Sequence, residues 1–179
     1  ILRNQVNPHF LFNSLNALNA LIEIDPKTAV SYVEHLADFY RNVLSYRDKK
    51  LISLQEEIEL LKHYLFLQEK RFGKNLVVEI NIGKEIENLN IPPLSLQILC
   101  ENAIKHNVIS NRSPLKIEIN FDGKYLEVKN NINEKSERVD STGLGLKNLN
   151  EKYHLLNKSL PIIINNGKYF IVSLELLNE

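Results

Sequence analysis

The chain has 179 residues, of which 44% are hydrophobic and 25% are charged, so it can build one large globular domain or two small ones. Its 22 basic and 22 acidic side chains cancel, which argues against a nucleic-acid partner, because a phosphate backbone demands a basic surface. The single cysteine, Cys100, excludes an internal disulfide, and its apolar surroundings in the sequence predict a core residue rather than a metal site.

The first part of the chain has the periodicity of three helices. The first runs to Ile24, and Asp25-Pro26 then predicts an N-cap followed by a proline at the first helical position. Ser53 and Glu56 form a capping-box pattern at the start of a third helix that ends at Gly73. The second helix carries a predicted apolar stripe of Val30, Val33, Leu36, Ala37, Tyr40 and Leu44.

Helices with one apolar stripe each enclose little core by themselves. We therefore predict that an antiparallel helical pair from each of two chains forms a four-helix bundle, so that the protein is a homodimer. A helical hairpin packed on the rest of its own chain satisfies the same periodicity, and the pattern does not separate the two arrangements.

From residue 76 the period changes to that of strands. The pattern predicts strands at 76–82, 116–121 and 124–129, a last hairpin at 161–164 and 169–176, and helices at 94–109 and from Leu144. This order predicts an α+β fold: a helical region over 1–72, followed by an α/β sandwich over 73–179 with helices on one face of a mixed sheet.

The segment Asn7-Pro8-His9-Phe10-Leu11-Phe12-Asn13 near the start of the first helix is the first candidate site. His9 and Asn13 lie four residues apart and therefore share one helical face, where an imidazole is available as a nucleophile. Taken alone, a capped or buried histidine beside a proline is the commoner explanation of such a short motif.

A second candidate site lies in the helix that contains Glu101 and Asn107. Asn102, Lys105 and His106 share one face of that helix; an amide oxygen suits Mg²⁺, and a lysine can meet a phosphate oxygen. A solvated polar face with an ordinary ion pair between Glu101 and Lys105 explains the same residues.

The third candidate site is the glycine-bearing segment Ser141-Thr142-Gly143-Leu144-Gly145-Leu146, which opens onto a helix. Glycines allow close approach of the backbone to a phosphate, and the N–H groups of the new helix attract negative charge. Two glycines before a helix are a weak signal by themselves.

Together, these three motifs resemble the LytS-type sensor histidine kinases in order and approximate spacing, and Tyr64, Arg71-Phe72 and Leu96-Gln97 extend the match. The resemblance implies a dimerising phosphotransfer region followed by an ATP-binding domain of the GHKL (Bergerat) fold. It makes His9 the phosphoacceptor, Asn13 a residue that orients His9 or a water, and Glu101 a helper in proton transfer. Asn102 takes the Mg²⁺ position, and the implied nucleotide-binding residues are Asn102, Lys105, His106, Asn107, Asn130, Asn131, Gly143, Leu144, Gly145 and Leu146.

The resemblance also implies a function and partners. The chain would be the cytoplasmic kinase core of an inner-membrane sensor, reaching the membrane only through a missing upstream segment. It would autophosphorylate with ATP and Mg²⁺, and the phosphoryl group would pass to an aspartate of a response regulator receiver domain.

One departure from the family pattern favours an alternative function. Asn130-Asn131-Ile132-Asn133 stands where the wider ATP-binding superfamily has Asp-x-Gly-x-Gly. An asparagine oxygen at position 130, or 131, accepts the adenine amino group without charge assistance. A degenerate dimeric scaffold or phosphatase that binds a response regulator is therefore the alternative.

Overall fold

The computed structural model describes residues 8–83, 86, 88–133 and 144–178. Helices α1 (Pro8–Ile24), α2 (Pro26–Ser45) and α3 (Leu54–Phe72) make up the first part. Asp25 separates α1 from α2, and its carboxylate accepts a hydrogen bond from the Thr28 N–H at 3.1 Å. The predicted N-cap and the proline that follows it are confirmed.

Helix α3 begins and ends where the sequence predicts. The Ser53 hydroxyl accepts from the Glu56 N–H, and the Glu56 carboxylate accepts from the Ser53 N–H, which completes the capping box. Gly73 ends the helix with φ at +56°, a left-handed conformation that glycine adopts without steric strain.

The buried face of α2 differs from the predicted one. The side chains that α2 buries are Ala29, Tyr32, Leu36, Phe39 and Val43. Val30, Val33 and Leu44 of the predicted stripe are 61%, 47% and 58% exposed, so only part of that stripe packs within the described residues. The physical reason is that α2 has two apolar faces, and only one of them packs against the described part of this chain.

An aromatic cluster joins the three helices. The Phe10 ring of α1 lies 5.4 Å from Phe39 of α2 in an edge-on arrangement and 5.2 Å from Tyr64 of α3, measured between ring centroids. Such edge and tilted contacts add to the free energy gained by burying the rings. Helices α1 and α2 therefore pack on α3 within one chain.

The described residues form eight strands in two sheets and two further helices. The strands are β1 (Ile52–Ser53), β2 (Leu76–Asn81), β3 (Leu89–Ile91), β4 (Leu115–Phe121), β5 (Tyr125–Asn131), β6 (Ile162–Asn165), β7 (Tyr169–Glu175) and β8 (Leu177–Asn178). The helices are α4 (Ser95–His106) and α5 (Leu144–Leu155). The larger sheet has the order β2-β4-β5-β7-β6; β2 and β4 are parallel and the other neighbours antiparallel. The predicted α+β fold with a mixed sheet is confirmed.

The smaller sheet, β1-β3-β8, connects residues on both sides of residue 73. Ile52 pairs with Ile91, and Asn90 pairs with Leu177. Leu60 and Leu61 of α3 are fully buried in the same core as the inner face of the larger sheet. The domain division at residue 73 stays a prediction, and the packing is continuous across it.

Helix α4 ends earlier than the predicted residue 109. Asn107 is extended, and its side-chain amide donates back to the carbonyl of Ala103 at 2.8 Å, which closes the helix.

Cys100 on the inner side of α4 is fully buried, and burial raises the pKa of its thiol to about 12. The prediction of a core cysteine is confirmed. Across the described ranges, no helix combines the length and apolar character needed to cross a membrane.

Candidate phosphoacceptor and nucleotide sites

His9 stands exposed in the first turn of α1, next to the buried Phe10 that anchors the helix. The amide nitrogen of Asn13 lies 3.2 Å from each ring nitrogen of His9, and it can donate to whichever of them is unprotonated. The predicted pair is thus in contact on one helical face. Asn7, the first residue of the motif, lies outside the described residues.

A cavity of about 300 Å³ lies at one end of the larger sheet, between α4, α5 and the strands. Its wall consists of Asn102, Ala103, His106, Asn107, Asn130, Ile132, Leu146, Asn165 and Phe170. It combines side-chain amides with apolar surface, which is the mixture that a flat heterocycle with polar edges requires.

Helix α4 turns one face to this cavity and another to the first three helices. Asn102, His106 and Asn107 line the cavity, whereas Lys105 is exposed and Glu101 is absent from the described wall. Gln97 donates to the Glu101 carboxylate at 2.6 Å. Burial, and after it the negative charge of Glu101, raise the pKa of Tyr40 on α2 to about 12.

Asn130 and Asn131 at the end of β5, which the sequence left as alternatives, have different surroundings in the structure. Asn130 is buried and lines the cavity, and its amide nitrogen donates to the carbonyl of Asn131 at 2.7 Å. Its described hydrogen bond uses only that nitrogen, so the side-chain oxygen is the acceptor available to a ligand. Asn131 instead accepts from the Lys116 N–H at 2.7 Å and donates to the carbonyl of Pro114 at 3.0 Å. Its amide therefore holds β4 and β5 together.

Asn133, which the sequence analysis did not single out, joins the ends of α4 and β5. Its N–H donates to the side-chain oxygen of Asn107 at 2.6 Å, and its own amide donates to the carbonyl of Pro114 at 3.0 Å. Asn107 therefore uses both ends of its side chain for structure, although it also lines the cavity.

Helix α5 contributes Leu146 to the cavity wall, while Leu144 and Gly145 are exposed in its first turn. A Cβ atom added at Gly145 would lie 3.2 Å from the Cγ2 atom of Ile98 on α4, tighter than an ordinary contact. Gly145 therefore permits the close approach of α5 to α4. Ser141, Thr142 and Gly143 of the predicted loop lie outside the described residues.

Sequence reasoning missed two further wall residues, Asn165 and Phe170. They are cross-strand partners at the turn between β6 and β7, and that pairing brings both to the cavity. In the sequence, Asn165 has the appearance of an ordinary turn residue, and its oxygen does accept from the Gly167 N–H at 2.9 Å. No local pattern marks it as part of a site.

The donor set of the wall fits a magnesium nucleotide. None of the described wall residues is acidic, so a cation there would be held by amide oxygens, of which Asn102 is the one that the resemblance favours, and by water and phosphate oxygens. Mg²⁺ keeps several waters in such sites. Ala103, Ile132, Leu146 and Phe170 provide the apolar surface for a base.

Comparisons with known proteins agree with the motifs. The Histidine kinase family model matches residues 1–76. The sensor histidine kinase BtsS of Escherichia coli (strain K12) is 34% identical over 161 residues, covering 86% of this chain and 28% of the relative. Sensor protein LytS of Bacillus subtilis (strain 168) is 36% identical over 118 residues, covering 66% of this chain and 20% of the relative.

A solved structure, the Acinetobacter baumannii histidine kinase AdeS, matches 99% of this chain and 96% of its own with a TM-score of 0.46 and 16% identity. The chain spans less than a third of the length of the two curated sequence relatives. The resemblance seen in the motifs is confirmed, and the chain belongs to the LytS-type sensor histidine kinases.

Proposed function

We propose that this chain is a kinase core that transfers the γ-phosphoryl group of ATP to His9 and then to an aspartate of a response regulator. One observation carries the proposal: a single chain combines an exposed histidine held by Asn13 with an amide-lined cavity walled by Asn102, His106 and Asn130. Membership of the sensor histidine kinases supports the kinase role.

His9 acts as the nucleophile. An unprotonated ring nitrogen attacks the γ-phosphorus, an N–P bond forms, and the bond between that phosphorus and the bridging oxygen of the leaving ADP breaks. The proton on the other ring nitrogen is then released to a base, and Glu101 is our candidate because the family resemblance gives it that role. Asn13 fixes the ring by its amide, and positioning is the largest contribution a protein makes to this reaction.

The cavity residues bind the nucleotide. The Asn130 oxygen accepts from the adenine amino group, and the apolar wall covers the ring. The Asn102 oxygen would hold Mg²⁺, which neutralises charge on the phosphates. His106, Lys105 and the first turn of α5, with Leu144, Gly145 and Gly143 before it, would meet the phosphate oxygens.

A second copy of the chain completes the helical region. Phe12 is 66% exposed on α1, and Val30, Val33 and Leu44 are exposed on α2. Exposed apolar residues at helical spacing on adjacent helices are typical of an interface. We propose a homodimeric four-helix bundle on the cytoplasmic side of a membrane.

Incubation with γ-labelled ATP and Mg²⁺ tests the transfer. The native chain should acquire label that is labile in acid and stable in alkali, as expected of a phosphoramidate. His9→Gln and Asn102→Ala should abolish the label, the first by removing the nucleophile and the second by removing the metal ligand. His154→Gln is the matched control, because His154 is also an exposed helical histidine, and this variant should label normally.

Nucleotide binding separates the two functions in the same samples. If the native chain binds Mg-ATP in a calorimeter but acquires no label, the kinase proposal fails and the scaffold or phosphatase alternative takes its place. Label that survives His9→Gln would also overturn the proposal, because it would assign another acceptor.

A further inference from the structure

Glu57 on α3 is a buried carboxylate whose described hydrogen bonds all go to another helix. Its side chain is 1% exposed; one oxygen accepts from the Leu94 N–H at 2.9 Å and the other from the Leu96 N–H at 2.8 Å. Burial raises the pKa of Glu57 to about 7, and these N–H donors oppose that shift. A buried carboxylate is retained only where such partners satisfy it.

Helix α4 lacks a cap from its own sequence. Leu94, its N-cap residue, has φ at +66° and a side chain that accepts no hydrogen bond. Two prolines, Pro92 and Pro93, precede it and have no backbone N–H to offer. Glu57 therefore satisfies two of the N–H groups at the start of α4, those of Leu94 and Leu96, and a negative charge there also suits the positive end of the helix dipole.

The residue just before this turn is also held by α5. The Lys152 ammonium group donates to the carbonyl of Pro93 at 2.6 Å. Burial lowers the pKa of Lys152, and the charge of Glu57 opposes that shift. The start of α4 is thus tied to α3 by the Glu57 carboxylate and to α5 by the Lys152 ammonium group, and we call this pair of contacts the clamp.

This clamp holds the two helices, α4 and α5, that contribute residues to the cavity wall. Helix α4 carries Asn102 about two turns and His106 about three turns beyond the clamped residues, and α5 carries Leu146. A helix moves as a rigid rod over that length, so a tilt of its first turn displaces the cavity side chains. On another part of α3, Tyr64 contacts Phe10, the neighbour of His9.

We propose that Glu57 is a positioning residue for the nucleotide cavity: its carboxylate fixes the first turn of α4 against α3 and so aligns Asn102 and His106 with α5 for Mg-ATP. The inference rests on the proposed function, because it takes the cavity to be the ATP site. It adds to that function a residue of the helical part that controls nucleotide affinity without contacting the nucleotide.

The test compares Glu57→Gln with Ser53→Ala. The amide keeps the shape of the side chain but turns an NH₂ group toward one of the two backbone N–H donors. Ser53→Ala removes the cap at the start of the same helix without a described contact to α4, so it serves as the control for lowered stability. Mg-ATP affinity is measured by calorimetry, and unfolding by a thermal melt, well below the melting temperature of each variant.

We expect the dissociation constant of Mg-ATP to rise about tenfold in Glu57→Gln, as for loss of a residue that orients a ligand-binding group, and to change less than about twofold in Ser53→Ala. A residue that only stabilises the fold would lower the fraction of binding-competent protein and leave the dissociation constant unchanged. Lys152→Met removes the opposite half of the clamp and should raise the dissociation constant as well, so it replaces Glu57→Gln if that variant does not fold.

Equal dissociation constants in the native chain, Glu57→Gln and Lys152→Met would overturn the inference. A native chain that binds Mg-ATP but forms no phosphohistidine would overturn the kinase function alone, since the affinity comparison needs no transfer. A native chain that binds no nucleotide would overturn both.

Discussion

The cavity and the helical region that carries His9 differ in the apolar surface that they leave exposed. Behind the cavity, Leu96 and Leu99 of α4 belong to the same buried core as Ile117 and Ile119 of the sheet, with almost no exposed surface. In α1 and α2, by contrast, Phe12, Val33 and other large apolar side chains remain exposed beside a well-packed inner face. The core behind the cavity is closed within the chain, and the apolar side chains exposed in that part lie on the edge strand β6 and at positions such as Leu155. On α1 and α2 the exposed apolar side chains recur at helical spacing, which suits the proposed second copy.

The largest expected effect tests the buried core behind the cavity. Leu96→Ala should lower the free energy of unfolding by about 3 kcal/mol, because it opens a cavity in a core where Leu96 has no exposed surface. Leu155→Ala on α5, where the leucine is 80% exposed, is the matched control and should change it by less than about 0.5 kcal/mol. Urea unfolding followed by circular dichroism measures both, and similar losses would contradict a closed core at α4.

The next effect tests the exposed apolar face of α2. Val33→Glu puts a charge on the exposed apolar face of α2 and should raise the dissociation constant of the dimer at least about tenfold, or about 1.4 kcal/mol. Ile163→Glu on β6 is the control, because Ile163 is 42% exposed and Val33 47%. Sedimentation equilibrium measures the constants. If Ile163→Glu dissociates the dimer and Val33→Glu does not, the interface lies on the sheet.

Local signals predicted much of the fold. The Asp25 cap, the Ser53 and Glu56 capping box and the Gly73 stop are each contained within a few residues, and all three are confirmed. The buried face of α2 was not predictable, because apolar residues occupy two faces and only the tertiary contacts select one. Strands β1, β3 and β8 were missed because a strand of two or three residues has no measurable period.

The residues of the candidate site also divide into those that local sequence signals predict and those that only the tertiary structure brings together. Asn102, His106 and Leu146 belong to local motifs and reach the cavity through a helix geometry that the sequence dictates. Asn165 and Phe170 reach it only through the pairing of β6 with β7, which is invisible locally. Glu57 was also missed, since its partners, Leu94 and Leu96, are distant in the sequence and contribute only backbone N–H groups. The roles of the predicted site residues remain predictions.

A smaller effect tests the contact between the two cavity helices. Gly145→Ala should lower stability by about 1 kcal/mol or less, because the new Cβ would lie 3.2 Å from a methyl group of Ile98, which must shift. Adding Ile98→Ala removes that methyl group, so a double-mutant cycle from urea unfolding should give a coupling of about 0.5 kcal/mol or more. Gly83→Ala is the control, because an added Cβ there meets nothing within 4 Å. Strict additivity would mean that Gly145 has no part in the spacing of α4 and α5.

The smallest effect is a pH dependence in the contact between α2 and α3. The Nδ1 atoms of His35 and His63 lie 3.0 Å apart, and the His35 ring stacks on Phe66 with a centroid distance of 3.9 Å. Burial, and after it the neighbouring His63, lower the pKa of His35, while Asp38 and Glu34 oppose the shift. The folded chain therefore binds a proton on His35 less readily than the unfolded chain, so stability falls as pH falls below about 6.5.

His35→Asn should flatten this dependence between about pH 6.5 and pH 5, and the change should stay below about 1 kcal/mol because the ring is partly exposed and solvent screens its charge. His154→Gln removes an exposed histidine on α5 and should leave the slope as it is in the native chain. Urea midpoints across that pH range measure the slope. If the slope persists in His35→Asn, a group other than His35 is responsible for the pH dependence.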